Sequence, residues 1–328
     1  MSEFKVNTIT NRDGSYGPQV CGITTFGSSG MTLPSGPTEF RGGRGRGIFD
    51  SGATPSATNV IDMIEIATTG DAVDFGDDVH ARQEGHAAFA SATRGVMAGG
   101  QTPTILSSIT FVTIPSLGGA NEFGDLINAA TRNVGCSNST RGISGGGKVS
   151  SVQVTTIEYV TIASIGDARN FGDTSTIRTL LAGAASSTRG IFAGGGDVQD
   201  VIDFVTIQTL GDATDFGNLT VARKGLMGLS NSTRALFAGG ETPSNSDIID
   251  YITIATTGNA ADFGDLTVVK NTSSGTSSST RGVFAGAQPS DVIDKVEILS
   301  TGNAVDFGNL GRGASRCYGA FSNGHGGL

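Results

Sequence analysis

Residues 226–240 read LMGLSNSTRALFAGG, and residues 248–266 read IIDYITIATTGNAADFGDL. The apolar residues in this stretch fall in short runs separated by turn residues, which predicts four short β-strands. We predict strand A at 226–229, strand B at 235–238, strand C at 248–255 and strand D around Phe263. Gly239 and Gly240 end strand B, because glycine accepts the positive φ angles that a tight turn requires.

The same unit is copied along the chain. In each copy an Arg opens strand B, the next such Arg follows 45 to 48 residues later, and a Phe-Gly pair marks strand D. Repeats of this length indicate a supersecondary unit that packs against its neighbours, and four antiparallel strands in about 45 residues are typical of a propeller blade. The repeated residues are Arg46, Arg94, Arg141, Arg189, Arg234 and Arg281, with Phe75, Phe123, Phe171, Phe216, Phe263 and Phe307.

The two ends of the array predict how it is closed. The first copy begins directly at strand B, residues 47–49, whereas the tail RCYGAFSNG at 316–324 matches RKGLMGLSN at 223–231. We therefore expect residues 316–322 to supply the missing strand A of the first copy, which removes exposed sheet edges. The predicted fold is an all-β, six-bladed β-propeller over residues 46–328, preceded by an extended arm at residues 1–45.

Composition excludes several classes of function. The chain has 328 residues, 51 of them Gly, with 16% charged residues and a net charge of −9. Its basic residues form no cluster that could neutralise a row of phosphates, so nucleic acid is not an expected partner. No apolar run has the length of a membrane span, and the N-terminus lacks a signal-peptide pattern. We expect a soluble protein made in a cytoplasm.

Cysteine and histidine give no metal or catalytic pattern. Cys21, Cys136 and Cys317 are odd in number and far apart, which favours reduced thiols over disulfides or a zinc site. Ring closure leaves open a three-histidine zinc site, although no regular spacing supports it. The three histidines are His80, His86 and His325. We predict no catalytic residue, no metal and no cofactor.

Asp-Phe-Gly recurs in four copies, at Asp74, Asp215, Asp262 and Asp306. This tripeptide holds magnesium in kinases, but here it repeats without a phosphate loop or catalytic loop, so we interpret it as structural, with Phe between the blades. Two interpretations of the six Args stay open: bonds to these acids within a blade, or a ring that binds an anion. Repetition in every copy favours the structural one, because ligand sites are few per protein.

Strand C carries a further acid in five of the six copies. One acid per copy does not supply the converging oxygens that calcium needs, so we interpret these acids as acceptors of hydrogen bonds at turns. They are Asp62, Glu158, Asp203, Asp250 and Asp294, with Thr110 as the exception.

The connections between strands B and C vary in length and content, whereas the strands vary little. A regular scaffold with one variable rim usually presents a binding surface there. These loops are polar, which suits a glycan or a neighbouring protein, and ordinary solvent loops are the alternative. The candidate contact residues are Thr54, Pro55, Ser56, Gln101, Thr102, Lys148, Gln153, Gln199, Thr242, Asn245 and Gln288.

The opening segment contains apolar residues among Gly, Asn, Ser and Pro, which predicts short extended pieces that cannot form a core alone. They need either a partner surface or the flank of the propeller itself. The candidate anchor residues are Phe4, Val6, Ile9, Ile23, Phe26, Met31 and Leu33.

The repeat resembles the Kelch blade, with a double glycine after strand B, aromatics in strands C and D, and an Arg and a Gly before the next strand A. These are Gly239-Gly240, Tyr251, Phe263, and Arg223 with Gly225. The chain departs from Kelch in having no Trp. The resemblance implies the propeller fold and does not imply the functions of eukaryotic Kelch proteins.

Nearly the whole chain is similar to tail-fibre-like virion structural proteins of marine cyanophages, through the opening KVNTITNRDGSYGPQVCGITTFGSSGMTLPSG and the repeats that follow. The resemblance implies a non-enzymatic virion protein, made in the host bacterium and present in multiple copies. Its arm would dock onto other virion proteins, and its propeller would serve host-surface adhesion or assembly. The alternative from another class is a glycan-active or metal-dependent propeller enzyme.

Overall fold

The computed structural model describes residues 24–25, 31–32, 45–54, 56–287, 290–313, 316 and 318–324. Within these residues the chain is all-β, without a helix. Six sheets have four or more strands each, and we number them in chain order from the sheet that contains residues 46–54. Strands A to D denote the order in which the main strands of a sheet are hydrogen-bonded.

The first sheet combines residues 46–82 with the C-terminal strand, and the second and third follow it in sequence. Strands A to D are Gly319–Ser322, Arg46–Thr54, Ser56–Glu65 and Val73–Arg82 in the first sheet; Ala87–Ala90, Arg94–Ala98, Ser108–Thr113 and Asn121–Asp125 in the second; and Val134–Ser137, Arg141–Gly145, Thr156–Thr161 and Arg169–Asp173 in the third.

The remaining three sheets repeat this order. They comprise Ala182–Ala185, Arg189–Ala193, Gln199–Thr206 and Thr214–Arg223 in the fourth; Met227–Ser230, Arg234–Ala238, Ser244–Thr253 and Ala261–Lys270 in the fifth; and Ser274–Ser277, Arg281–Ala285, Val292–Glu297 and Val305–Asn309 in the sixth. Thr24–Thr25 pairs with Met31–Thr32 in a small separate hairpin.

The strands agree closely with those predicted from residues 226–266. Strand A begins and ends one residue later than expected, and strand C begins four residues earlier, at Ser244. Gly239 and Gly240 have φ angles of 65° and 98°, so the predicted glycine turn is confirmed. The C-terminal strand pairs with strand B of the first sheet in the register Gly47↔Ser322. The tail therefore completes that sheet.

Each hydrophobic cluster contains residues of two consecutive sheets. Phe263 of the fifth sheet, for example, packs in one cluster with Phe284 and Val296 of the sixth. This position confirms that the strand D Phe fills the space between sheets. Another cluster joins Phe307 of the sixth sheet to Phe49 of the first. The apolar contacts thus continue from the last sheet back to the first.

Backbone hydrogen bonds follow the same sequence. The amide of Gly258, in the C-to-D turn of the fifth sheet, donates to the carbonyl of Phe216 in the fourth at 2.8 Å. The equivalent amide in each sheet binds the strand D Phe of the sheet before it. Gly70 of the first sheet donates to Phe307 of the sixth at 2.9 Å. Neighbouring sheets are therefore fixed by polar as well as apolar contacts.

The A strands pack directly against one another, and small residues make this possible. A Cβ atom added to Gly228 would lie 2.2 Å from the carbonyl oxygen of Gly183, and one added to Gly183 would lie 2.3 Å from that of Gly135. Backbone atoms cannot withdraw from such a contact as a flexible side chain can. The equivalent positions in the second and first sheets are Ala88 and Ala320. The strands approach too closely for larger residues.

Serines at the ends of the A strands link the same strands. The hydroxyl of Ser230 donates to Ala185 at 2.7 Å, and that of Ser277 donates to Ser230 at 2.6 Å. Ser322 in turn donates to the carbonyl of Ser277. The C-terminal strand therefore makes the same contact with the sixth sheet as the other A strands make with their neighbours.

Gly228→Val tests this close approach. The added side chain meets the backbone of the fourth sheet, so we expect the free energy of unfolding to fall by roughly 2 kcal/mol or more. Urea denaturation of the full chain measures it. Ala88→Gly at the matched position removes a methyl group without a clash and should cost less than about 1 kcal/mol. Equal losses in the two variants would contradict the packing described.

Candidate functional site

In four of the six sheets the connections between strands B and C contain paired strands, which form hairpins. Gln101–Thr102 pairs with Thr104–Ile105, and Lys148–Val149 pairs with Val152–Gln153. In the fifth sheet Glu241–Thr242 pairs with the start of strand C. In the first sheet, strands B and C themselves extend to the hairpin tip. The variable rim predicted from the sequence as loops is therefore largely β-structure.

Most of the predicted contact residues lie in these hairpins, whereas Gln199 begins strand C of the fourth sheet. Ser56 and Asn245 are exposed, whereas the others whose side chains are described are half-buried. Pro55 and Gln288 lie outside the described residues, and Thr54 ends the strand Arg46–Thr54. The half-buried members are Gln101, Thr102, Lys148, Gln153, Gln199 and Thr242.

The hairpins contact the connections between strands D and A, as expected from their shared face. Lys224 and Glu241 form a β-bridge, and their side chains approach to 4.0 Å. Asn271 donates from Nδ2 to Oδ1 of Asn245 at 2.7 Å. Ala53 and Arg316 form the corresponding bridge in the first sheet. We call this surface the hairpin face.

The arm lies almost wholly outside the described residues. Of the predicted anchor residues, Met31 belongs to the strand Met31–Thr32. Phe4, Val6, Ile9, Ile23, Phe26 and Leu33 lie outside the described part of the chain. Their anchor role stays a prediction.

The six Args join each sheet to the next. Arg234 of the fifth sheet donates from a terminal guanidinium nitrogen to the carbonyl of Ile298 in the sixth at 2.9 Å. Arg281 of the sixth sheet donates to Ile66 of the first, also at 2.9 Å. Arg46, Arg94, Arg141 and Arg189 bind Ile114, Ile162, Ile207 and Ile254 in the same way.

Four of these guanidinium groups also stack on an aromatic ring of their own sheet. The guanidinium carbon of Arg234 lies 4.4 Å from the centre of the Tyr251 ring, which in turn meets Phe263 edge-on. A cation over a ring face is stabilised by the ring quadrupole. Arg94, Arg141 and Arg189 stack on Phe111, Tyr159 and Phe204. The guanidinium groups of the six repeated Args thus make contacts that hold the sheets together.

The predicted bond between these Args and the Asp-Phe-Gly acids is wrong. Asp74, Asp215, Asp262 and Asp306 are exposed. The carboxylates that the Args do approach stand at the end of strand C, as in the pairs Arg46–Glu65 at 3.5 Å and Arg281–Glu297 at 3.2 Å. The main partner of each Arg is a carbonyl of another copy, which the sequence of one copy does not reveal.

The strand C acids are not at turns, contrary to our expectation. Asp250 is fully buried within its strand and lies 2.6 Å from a guanidinium nitrogen of Arg223, which ends strand D of the preceding sheet. Arg223 also donates to the carbonyls of Gly239 and Ile248. Burial lowers the pKa of Arg223, and the carboxylate of Asp250 opposes this change.

Equivalent buried pairs join other sheets. Arg178 binds Asp203, Lys270 binds Asp294 at 3.0 Å, and Arg312 binds Asp62 at 3.0 Å. The partner of Asp62 is therefore Arg312, five residues after Phe307, whereas most of these cations follow the strand D Phe by seven residues. The recurring basic residue at that spacing was the signal that could have predicted the pairs.

The second sheet rearranges the same interaction. Thr110 replaces the strand C acid, and its hydroxyl donates to Asp78 at 2.7 Å. Asp78 in turn accepts a 2.7 Å bond from Arg82, both side chains being fully buried. At this junction the carboxylate therefore belongs to strand D of the preceding sheet instead of strand C, and Arg82 still has an acidic partner.

The described histidines do not converge on a site. Nε2 of His86 lies 3.0 Å from Oδ2 of Asp50, and both side chains are completely buried. His80 contacts the hydroxyl of Ser108 at 3.1 Å. His325 lies outside the described residues. Among the residues that the structure describes, no three His, Cys, Asp or Glu side chains form a group that could hold a metal ion.

Two cavities are lined by the A strands. The larger, about 100 Å³, is bordered by His86, Arg132 and Tyr318 among others. Arg132 is paired with Glu84 at 2.7 Å, and this hydrogen bond raises the pKa of the guanidinium. Cys136 borders the smaller cavity, about 60 Å³. Burial raises the pKa of its thiol to about 12, so it is not a reactive nucleophile.

Comparison with known proteins gives no family assignment. No protein-family model matches the chain, and no curated protein matches it. In the described part of the chain, no helix has the length and apolar character to cross a membrane.

Arg234→Ala removes both the carbonyl bond and the stacking on Tyr251. We expect a loss of about 1–3 kcal/mol in the free energy of unfolding. Arg234→Lys keeps the charge but not the planar group, so its loss should be smaller. Chemical denaturation compares both with Arg169→Ala, an exposed Arg that should change stability by less than about 0.5 kcal/mol. A loss of stability in Arg234→Ala no larger than in this control would contradict the structural role of Arg234.

Asp250→Asn leaves the buried charge of Arg223 without its carboxylate. The expected loss of stability is about 3–5 kcal/mol. Asp262 stands directly opposite Asp250 on the adjacent strand and is exposed, so Asp262→Asn is a matched control with an expected effect below about 0.5 kcal/mol. Thermal and urea unfolding measure both variants, and similar values for the two would refute the role of the buried pair.

Proposed function

We propose that residues 46–328 form a six-bladed Kelch-like β-propeller closed by the C-terminal strand, and that the chain is a non-enzymatic structural component of a phage virion. The cyclic order of contacts supports the architecture. The apolar clusters, the Phe–Gly backbone bonds and the Arg–carbonyl bonds each run from one sheet to the next, and each also joins the sixth sheet to the first.

The observation that carries the functional proposal is the contrast between the repeated residues of the sheets and the variable connections between strands B and C. The repeated polar residues of the sheets are engaged in contacts between sheets, whereas the B-to-C hairpins differ from sheet to sheet. Variation confined to one face of a rigid scaffold is typical of a binding surface. The polar residues of the hairpins suit a glycan or a protein of the host surface or of the particle.

The position at which the chain enters the first sheet supports a separate role for the arm. The carbonyl of Gly45 accepts a 2.7 Å hydrogen bond from the amide of Ile66. Ile66 directly follows strand C of the first sheet, at the end of that strand opposite the B-to-C hairpin. The arm therefore joins the sheets at the face opposite the hairpin face. A protein with this arrangement can attach to a particle on one side and present its rim on the other.

The resemblance of the opening segment to tail-fibre-like virion proteins of cyanophages supports the choice of partner. In this proposal residues 1–45 dock onto other virion proteins, the mature protein is located on the particle, and several copies are present. The propeller then contributes to host-surface adhesion or to assembly through the hairpin face.

Deleting residues 1–44, which keeps the bond between Gly45 and Ile66, tests the proposal. We expect the truncated chain to keep its β-rich circular dichroism spectrum and cooperative unfolding but to be missing from purified particles. Full-length Lys148→Glu with Gln153→Ala on the hairpin face should enter particles normally and reduce adsorption to host cells. Normal incorporation of the truncated protein would contradict the anchor role. Glycan hydrolysis by the purified full chain, with or without added metal, would instead favour the enzyme.

A further inference from the structure

Buried basic side chains complete five of the six junctions between consecutive sheets in the described chain. At the junction of the fifth and sixth sheets, the ammonium group of Lys270 donates to the carbonyl of Val292 at 2.7 Å and to that of Phe284 at 3.3 Å. It also lies 3.0 Å from the carboxylate of Asp294. An ammonium group thus occupies a site made of two carbonyls and one carboxylate. The other four cations are Arg82, Arg178, Arg223 and Arg312.

The junction of the second and third sheets keeps the acid but has no basic side chain in the corresponding position. Lys270 follows the strand D Phe by seven residues, and Ala130 follows Phe123 by the same number. Glu158 occupies the strand C position of Asp294 and is 7% exposed. Thr156 precedes Glu158 by two residues, as Val292 precedes Asp294. The site therefore retains its acceptors at the position where the side-chain cation is missing.

A cavity of about 20 Å³ lies at this junction, bordered by Ala130, Ser144, Gly146, Thr156 and Glu158. Its volume accommodates one water-sized particle. Ser144 adds a hydroxyl at a position where the fourth, fifth and sixth sheets have Phe, and Asn133 donates to that hydroxyl at 2.8 Å. Leu126, Val149 and Val154 also border the space left by the small residues, and its polar side chains are those of Asn128, Ser144, Thr156 and Glu158.

The carboxylate of Glu158 accepts a hydrogen bond from the backbone amide of Ile127 at 3.0 Å. Burial still raises the pKa of this carboxyl, because desolvation exceeds the effect of the amide bonds. A buried carboxylate is strongly stabilised by a positive partner, which every other strand C acid has. A single carboxylate with carbonyl and hydroxyl oxygens lacks the charge that calcium sites supply.

We propose that a monovalent cation of the size of ammonium or potassium binds in this cavity, between Glu158 and the carbonyl of Thr156. The ion takes the place that the ammonium group of Lys270 has in the sixth sheet. It supplies the positive charge at the one described junction where Ala130 replaces the basic residue.

Denaturant unfolding of the full-length protein at neutral pH tests the proposal, with potassium or ammonium chloride replacing tetramethylammonium chloride at constant ionic strength. Above the dissociation constant, each tenfold rise in potassium should raise the folding equilibrium constant about tenfold. Glu158→Gln and Ala130→Lys should both abolish this dependence, the first by removing the negative charge and the second by supplying a tethered ammonium. Asp262→Asn, an exposed acid, should retain it.

Rubidium soaked into crystals of the full chain gives a direct readout that does not depend on any variant. An anomalous peak beside Glu158 is expected in the wild type and should be absent in Ala130→Lys. No peak at this junction would overturn the proposal, as would a potassium dependence that is equal in the wild type and Glu158→Gln. The absence of a rubidium peak would mean that the carboxyl group of Glu158 is protonated or hydrated instead.

Discussion

The bond from each repeated Arg to a carbonyl of the following sheet is the interaction on which the rest of the structure depends. A single four-stranded sheet of this chain has two apolar faces, which it buries against the sheets on either side. The Arg fixes the neighbour at the distance at which the strand D Phe fills the space between them. Arg281 makes this bond to Ile66, so the sixth sheet is attached to the first by the same contact that joins the others. The strand Gly319–Ser322 completes the first sheet by pairing with its strand B.

Much of the fold could be predicted because it depends on local signals. Short apolar runs, glycine turns and the spacing of Arg and Phe are all present within one copy, and the similarity of the tail to residues 223–231 predicted the strand that completes the first sheet. The partners of the polar residues could not be predicted in this way. Arg234 bonds to a residue 64 positions away in another copy, and Asp250 pairs with a cation of the preceding sheet. The basic residue that recurs seven positions after the strand D Phe is a sequence signal for the second kind of pair, but only the packing of one sheet on the next shows which acid it meets.

The hairpins show a second limit of the sequence. Their polar composition favoured loops, but short antiparallel strands form there. In the first sheet strands B and C extend and pair as far as Thr54 and Ser56, and in the second the separate strands Gln101–Thr102 and Thr104–Ile105 pair with each other. The rim is consequently more regular than expected. A regular rim of this kind holds its side chains in defined positions, which suits recognition of an extended surface better than enclosure of a small substrate.

The closing strand can be tested most directly by a disulfide across the bridge between Ala53 and Arg316, whose backbone amides and carbonyls are bonded at 3.3 and 3.4 Å. With Cys21 and Cys317 replaced by Ser, Ala53→Cys combined with Arg316→Cys should oxidise to an intramolecular disulfide in the native protein. The product should migrate faster on a non-reducing gel and unfold at higher temperature. If this pair cross-links no better than Ser244→Cys with Arg316→Cys, the C-terminal strand does not complete the first sheet and the cyclic order of contacts is wrong.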